Sequence, residues 1–91
     1  MNSNQINLIK LQSSFGNVWV TEPNGATNLL DDYELDTNEV CNVVSDKYIG
    51  QNDTGAPVYE ITFSSEDGCI LVGTWLNEAH YKNDKISFGM Q

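Results

Sequence analysis

Few residues in this chain invite chemistry. The single histidine, His80, stands in the polar stretch Asn77-Glu-Ala-His-Tyr-Lys82, and two cysteines, Cys41 and Cys69, lie far from it and from each other. Nucleophilic catalysis needs a thiol or hydroxyl activated by an adjacent base, and a Cys–His pair would form here only if the fold made it. No GxSxG elbow, phosphate-cradling glycine loop or HExxH pair occurs in the sequence. One histidine and two isolated cysteines also lack the paired spacing of a zinc site. Asp32-Tyr-Glu34-Leu-Asp36-Thr37 begins like a calcium loop, with oxygen side chains at alternate positions. Thr37 replaces the glycine such a loop needs at its sixth position, and Val43 the glutamate at its twelfth, so an EF-hand is rejected. Asn52-Asp53 beside Gly55 reads as a turn. The expectation is no catalytic residue, metal or cofactor, and no enzyme.

Two binding chemistries remain. Trp19, Trp75, Tyr33, Tyr48, Tyr59 and Tyr81 could form a stacking face for a glycan or small ligand, although aromatics on strands usually anchor a small core. Tyr33 and Tyr81, in polar surroundings, are the two expected to be most exposed. Charge gives the stronger signal. Asp31, Asp32, Glu34, Asp36 and Glu39 fall within nine positions with no cation among them, and Glu60, Glu66, Asp67, Glu78 and Asp84 form a looser later group. In an extended chain Asp32, Glu34 and Asp36 would share one face about 7 Å apart; in a helix, neighbours three and four apart would lie about 5–6 Å apart. Either row offers a basic groove a field like that of a phosphate backbone. The competing reading is an acidic surface that serves solubility alone.

The whole composition bears on this choice. The 91 residues carry 13 acids against four lysines and no arginine, a net charge of −9. Nucleic-acid binding draws most of its affinity from clustered Lys and Arg, and four scattered lysines cannot supply it. An anionic membrane is excluded as a partner on the same ground. No apolar run approaches the roughly 20 residues of a transmembrane helix. The N-terminus lacks the basic start and apolar run of a signal peptide, and two cysteines are too few for a disulfide framework. The expected location is the cytoplasm, with both thiols reduced.

The chain that must position these residues reads as one domain, 1–91, without repeat or linker. Segments 5–12 and 17–22, joined by Ser13-Ser14-Phe15-Gly16, suggest a first hairpin closed off by Pro23-Asn24-Gly25. Segments 57–63 and 69–76 give a second and clearer hairpin across Ser64-Ser65-Glu66-Asp67-Gly68, and 85–90 alternates again. Thr27 followed by Leu29, Leu30 and Tyr33 allows a short helix around 27–35. Val40, Val43, Val44 and Tyr48 recur at helical spacing, but β-branching favours a strand over 39–50 that runs into a turn at 51–55. Asp36 and Glu39 resemble a capping box. The expected fold is mainly β, or α+β: an antiparallel meander of five or six strands, curled or closing into a small half-open barrel, with room for one short helix around 27–35.

The sequence therefore points to a small acidic inhibitor that covers the basic, nucleic-acid-binding surface of a partner protein by charge and bulk. Phage anti-defence proteins (anti-CRISPR or anti-restriction) and toxin-immunity proteins have this character, including mimicry of nucleic acid. The contact residues expected are Asp31, Asp32, Glu34, Asp36 and Glu39, with Tyr33 as an aromatic anchor. A β-domain that binds a glycan through exposed aromatics is the alternative.

Overall fold

The computed structural model describes residues 5–90, so positions 1–4, which open the leader-peptide reading, lie outside it. The protein is mainly β. Six strands form one open antiparallel sheet: β1 (Gln5–Asn7), β2 (Asn17–Thr21), β3 (Thr27–Leu29), β4 (Val40–Gln51), β5 (Pro57–Ser65) and β6 (Ile70–Trp75). Their order is β1-β4-β5-β6-β2-β3. Only β4-β5-β6 is a true meander, and β1 and the β2–β3 pair flank it on opposite sides. A short helix, α1 (Leu8–Gln12), carries the chain from one side of the sheet to the other, and α2 (Glu78–Phe88) follows the last strand.

The expected β5–β6 hairpin forms, with Phe63 opposite Leu71 and Ile61 opposite Gly73. The 39–50 strand forms too and runs into its turn. There the Asn52 side-chain oxygen accepts the backbone N–H of Thr54 and of Ala56, each at 3.0 Å, which reserves that oxygen for the turn.

Three expectations are corrected. The 5–12 segment does not pair with 17–22. Residues 5–7 pair with β4, and the chain then turns helical because Leu8 and Leu11, three apart, both reach the core. Asn7 caps that helix, its side-chain oxygen accepting the Ile9 N–H at 2.9 Å. Around 27–35 there is no α-helix. The tight turn at 22–26 folds Thr27–Leu29 back onto β2, and only a single 3-10 turn, Leu30–Asp32, follows. Residues 85–90 are helical up to Phe88. Asn77 caps α2 by accepting the His80 N–H at 3.0 Å, and Gly89 ends it at φ 83°. Asp84 and Phe88, four apart, are its buried residues, while Ile86 of the apparent alternation is 76% exposed.

The sheet also neither curls nor half-closes. Its two outermost strands have three residues each, and the helices supply the second layer that a barrel would have supplied by closure. Ile6, Val18, Val20, Cys41, Ile61, Phe63, Leu71 and Trp75 line the covered face and meet Leu8, Leu11, Leu30 and Phe88 in one core. On the opposite face Trp19, 47% exposed, sits in register with Leu29 and Val72.

Candidate functional site

Pairing registers bring three connections to one end of the sheet: the β2–β3 turn at 22–26, the β5–β6 turn at 66–69 and the 33–39 segment that enters β4. The two turns touch, since a Cβ on Gly68 would lie 3.4 Å from the Pro23 ring. Glu39 of the acidic run thereby lines one groove with Glu66 and Asp67, and Glu22 is reached by the Tyr33 hydroxyl of the same segment. Six of the chain's 13 acids, Glu22, Glu34, Asp36, Glu39, Glu66 and Asp67, stand in these connections, whereas Asp31 and Asp32 follow β3, which runs away from this end.

The lysines are engaged elsewhere. Lys85 holds Asp46 at 2.6 Å, Lys82 holds Glu78 at 3.2 Å, and Lys47 stands 4.0 Å from Glu60. Lys10 donates to the Ser87 carbonyl at 3.2 Å. No lysine among the described residues forms an ion pair with an acid of this end.

The 33–39 segment is extended and alternating before it turns. Tyr33 and Leu35 pack against the core while Asp32, Glu34 and Asp36 are exposed between and beside them. It is also firmly tied. The Gln12 side-chain amide donates to the carbonyls of Leu30 and Tyr33, both at 2.9 Å. The Asn7 amide donates to the Thr37 carbonyl, and the Leu8 N–H donates to the Glu39 carbonyl at 2.9 Å. Glu39 folds back so that its carboxylate accepts the Asp36 N–H at 2.8 Å. This is one half of the capping box read from sequence, closing a turn with no helix behind it.

Two expected contact residues are thus partly occupied. Glu39 is half-buried and serves its own turn. Tyr33 is half-buried, and its hydroxyl donates to Glu22 at 2.6 Å. That carboxylate holds the phenol above its ordinary value of 10.0, with burial adding to the effect. Tyr33 therefore braces the 33–39 segment against the β2–β3 turn. Asp31, Asp32, Glu34 and Asp36 are free to meet a partner.

The aromatics divide differently from the expectation. Trp75 is buried, and Tyr59 and Tyr81 stack on each other at 4.1 Å. Phe15, Trp19 and Tyr48 are the exposed ones, while Tyr33 and Tyr81 are half-buried. His80 stacks its ring on Phe15 at 4.1 Å. Both cysteines are free, and burial pushes the Cys41 thiol up to about 12. No group of three or more His, Cys, Asp or Glu among the described residues is arranged to hold a metal ion.

Sequence reasoning placed Glu66 and Asp67 in a turn but not beside 31–39, and it passed over Glu22. The available signal was their position in hairpin turns. Such turns lie at sheet ends, but strand order decides which end they share. A scan against protein-family models matched none, and searches of curated proteins and of solved structures found no significant match.

Proposed function

We propose that this domain binds a basic surface on a partner protein through its acidic end, and that the partner is a protein acting on nucleic acid whose binding groove is thereby covered. The observation that carries this reading is the segregation of charge. Glu22, Glu34, Asp36, Glu39, Glu66 and Asp67 stand in the three connections that meet at one end of the sheet, and three of the four lysines pair with acids elsewhere. Solubility would be served as well by acids spread evenly. Grouping them concentrates repulsion in a small domain and yields a field that steers a positive partner, with association rates above the roughly 10⁵–10⁶ M⁻¹s⁻¹ of neutral pairs. The ties from Asn7 and Gln12 add rigidity, so less ordering entropy is lost on binding. A phage anti-defence inhibitor and a toxin-immunity protein are the two settings in which such a mechanism is useful.

The test is affinity capture on the immobilised full chain at low salt from cells of its own source. The expected partner is released by duplex DNA or by RNA, and by salt, because exposed charges are screened beyond about 8 Å at physiological ionic strength. It is captured poorly by the variant carrying Asp32→Asn, Glu34→Gln and Asp36→Asn. Capture that is indifferent to salt and to these substitutions would overturn the reading. Elution by sugars alone, lost on Trp19→Ala, would replace it with glycan stacking on the open sheet face.

A further inference from the structure

The face of the sheet that the helices leave uncovered is ordered in three level rows. Strand registers align Leu29, Trp19, Val72, Thr62 and Ser45 across β3, β2, β6, β5 and β4. Thr27, Thr21, Ile70, Ser64 and Asn42 form the row nearer the acidic end, and Asn17, Thr74, Glu60 and Lys47 the row beyond. Trp19 is 47% exposed and Ile70 43%, with Leu29 and Val72 half-buried beside them. Glu60 is the one acid in these rows, and Lys47 stands 4.0 Å from it. A chain of net charge −9 thus carries one face that is apolar at its centre, hydroxyl-rich around it and neutral in sum.

Sheet faces are stabilised by a second layer, and α1 and α2 supply it on one side only. Charge sets what can approach the other side. Two copies of this chain repel each other wherever their acids meet, whereas here they bring together no unpaired acid. We propose that two copies pair face to face through these rows, as a sandwich of two sheets with the helices outside. Packed sheets keep their strand directions within about 30° of each other, which leaves two arrangements with a two-fold axis in the interface. An axis along the strands would set the two acidic ends side by side. An axis along the Trp19 row sets them at opposite ends and lays Trp19 against Trp19 of the second copy. It also places Glu60 and Lys47 over Ser64 and Asn42 of that copy, so no like charges meet. With side-chain margins the rows cover about 25 × 20 Å, about 500 Å² in projection. A corrugated surface exceeds its projection, so the pair approaches the roughly 1,200–2,000 Å² buried in specific interfaces. The inference stands apart from the basic-partner reading.

Sedimentation of the full chain at physiological salt, from about 10 μM to 1 mM, is expected to show the mass rise from 10.1 kDa toward twice that value. Added salt should tighten the pair severalfold, because it screens the repulsion between two acidic chains; a partner held by opposite charge would be released instead. Trp19→Ser is expected to weaken the pair at least about tenfold, as loss of a central aromatic does. Its amide NMR spectrum away from the open face should stay unchanged, which verifies the fold. Ile86→Ser, on the exposed side of α2, should leave the pair intact. A chain that stays at 10.1 kDa throughout would overturn the proposal, and sugars that then shifted the Trp19 resonances would give the face to a glycan. A dimer that Trp19→Ser leaves untouched, or that Ile86→Ser dissolves, would put the contact elsewhere and overturn it equally.

Discussion

Asp84 holds the helix layer to the sheet. It is 4% exposed, and one carboxylate oxygen accepts the Trp75 indole N–H at 2.7 Å and the Phe15 backbone N–H at 2.8 Å. Asp84→Ala leaves the buried Trp75 indole N–H and the half-buried Phe15 N–H unpaired and is expected to cost about 2–4 kcal/mol in urea unfolding. Asp84→Asn keeps an acceptor and should cost less. A second residue-scale prediction concerns alkali. Asp46 accepts from Tyr81 at 2.5 Å and pairs with Lys85. The Asp46 contact raises Lys85 above 10.5, and burial followed by the Asp46 contact raises Tyr81 above 10.0. The fold thus favours charged Lys85 and neutral Tyr81. Both contributions are complete below these ordinary values and are lost as pH climbs through the raised ones. Cys41 acts in the same sense from a lower start, since its thiol ionises at 9.0 unfolded and about 12 folded. Urea midpoints should therefore fall from pH 9 upward and more steeply above 10. Cys41→Val is expected to flatten the first part and Asp46→Asn the second.

Among the elements, β6 carries the tightest fit. A Cβ on Gly73 would lie 2.6 Å from the Trp75 ring, and one on Gly16 would lie 2.4 Å from it. Gly73→Ala should destabilise by about 1–3 kcal/mol, because the indole is enclosed and cannot yield; calorimetry measures it. At α1, Gln12→Ala removes both ties to the Leu30 and Tyr33 carbonyls without changing charge. It is expected to cost about 1 kcal/mol and to slow partner association, which separates held geometry from charge alone. These elements also differ in how openly the sequence displays them. The β5–β6 hairpin is legible because Tyr59, Ile61 and Phe63 alternate up to Asp67-Gly68, a local pattern with a local turn. Helix α2 is legible from its caps, Asn77 and Gly89, and is obscured by Ile86-Ser-Phe88-Gly-Met90, which alternates only by coincidence. The 27–29 strand is illegible because its pairing comes from the preceding turn and not from its own residues.

For the whole molecule, charge and edges decide behaviour. The acidic end repels itself, so at neutral pH the melting temperature should rise by about 2–4 °C between low and physiological salt. The rise should shrink when Asp31, Asp32, Glu34 and Asp36 are neutralised. Among the described residues β1 pairs with Val40–Asn42, and the long β4 runs on beyond them to Gln51. That stretch carries two register shifts, at Val43/Ser45 and Tyr48/Gly50, together with exposed Lys47 and Asp46, which is turned to the helix layer. These are the devices that keep sheets from pairing edge to edge. Lys47→Val is expected to promote association in sedimentation experiments.

Composition and local pattern by themselves determined the class of the fold, the central hairpin and the acidic run at 31–39. All of these rest on net charge or on neighbours within a few positions. Strand order was a tertiary decision, because it depends on which distant surfaces bury most together. That order brings Glu66 and Asp67 beside Glu39, turns Tyr33 into a brace on Glu22 and lines up Leu29, Trp19 and Val72 across the open face.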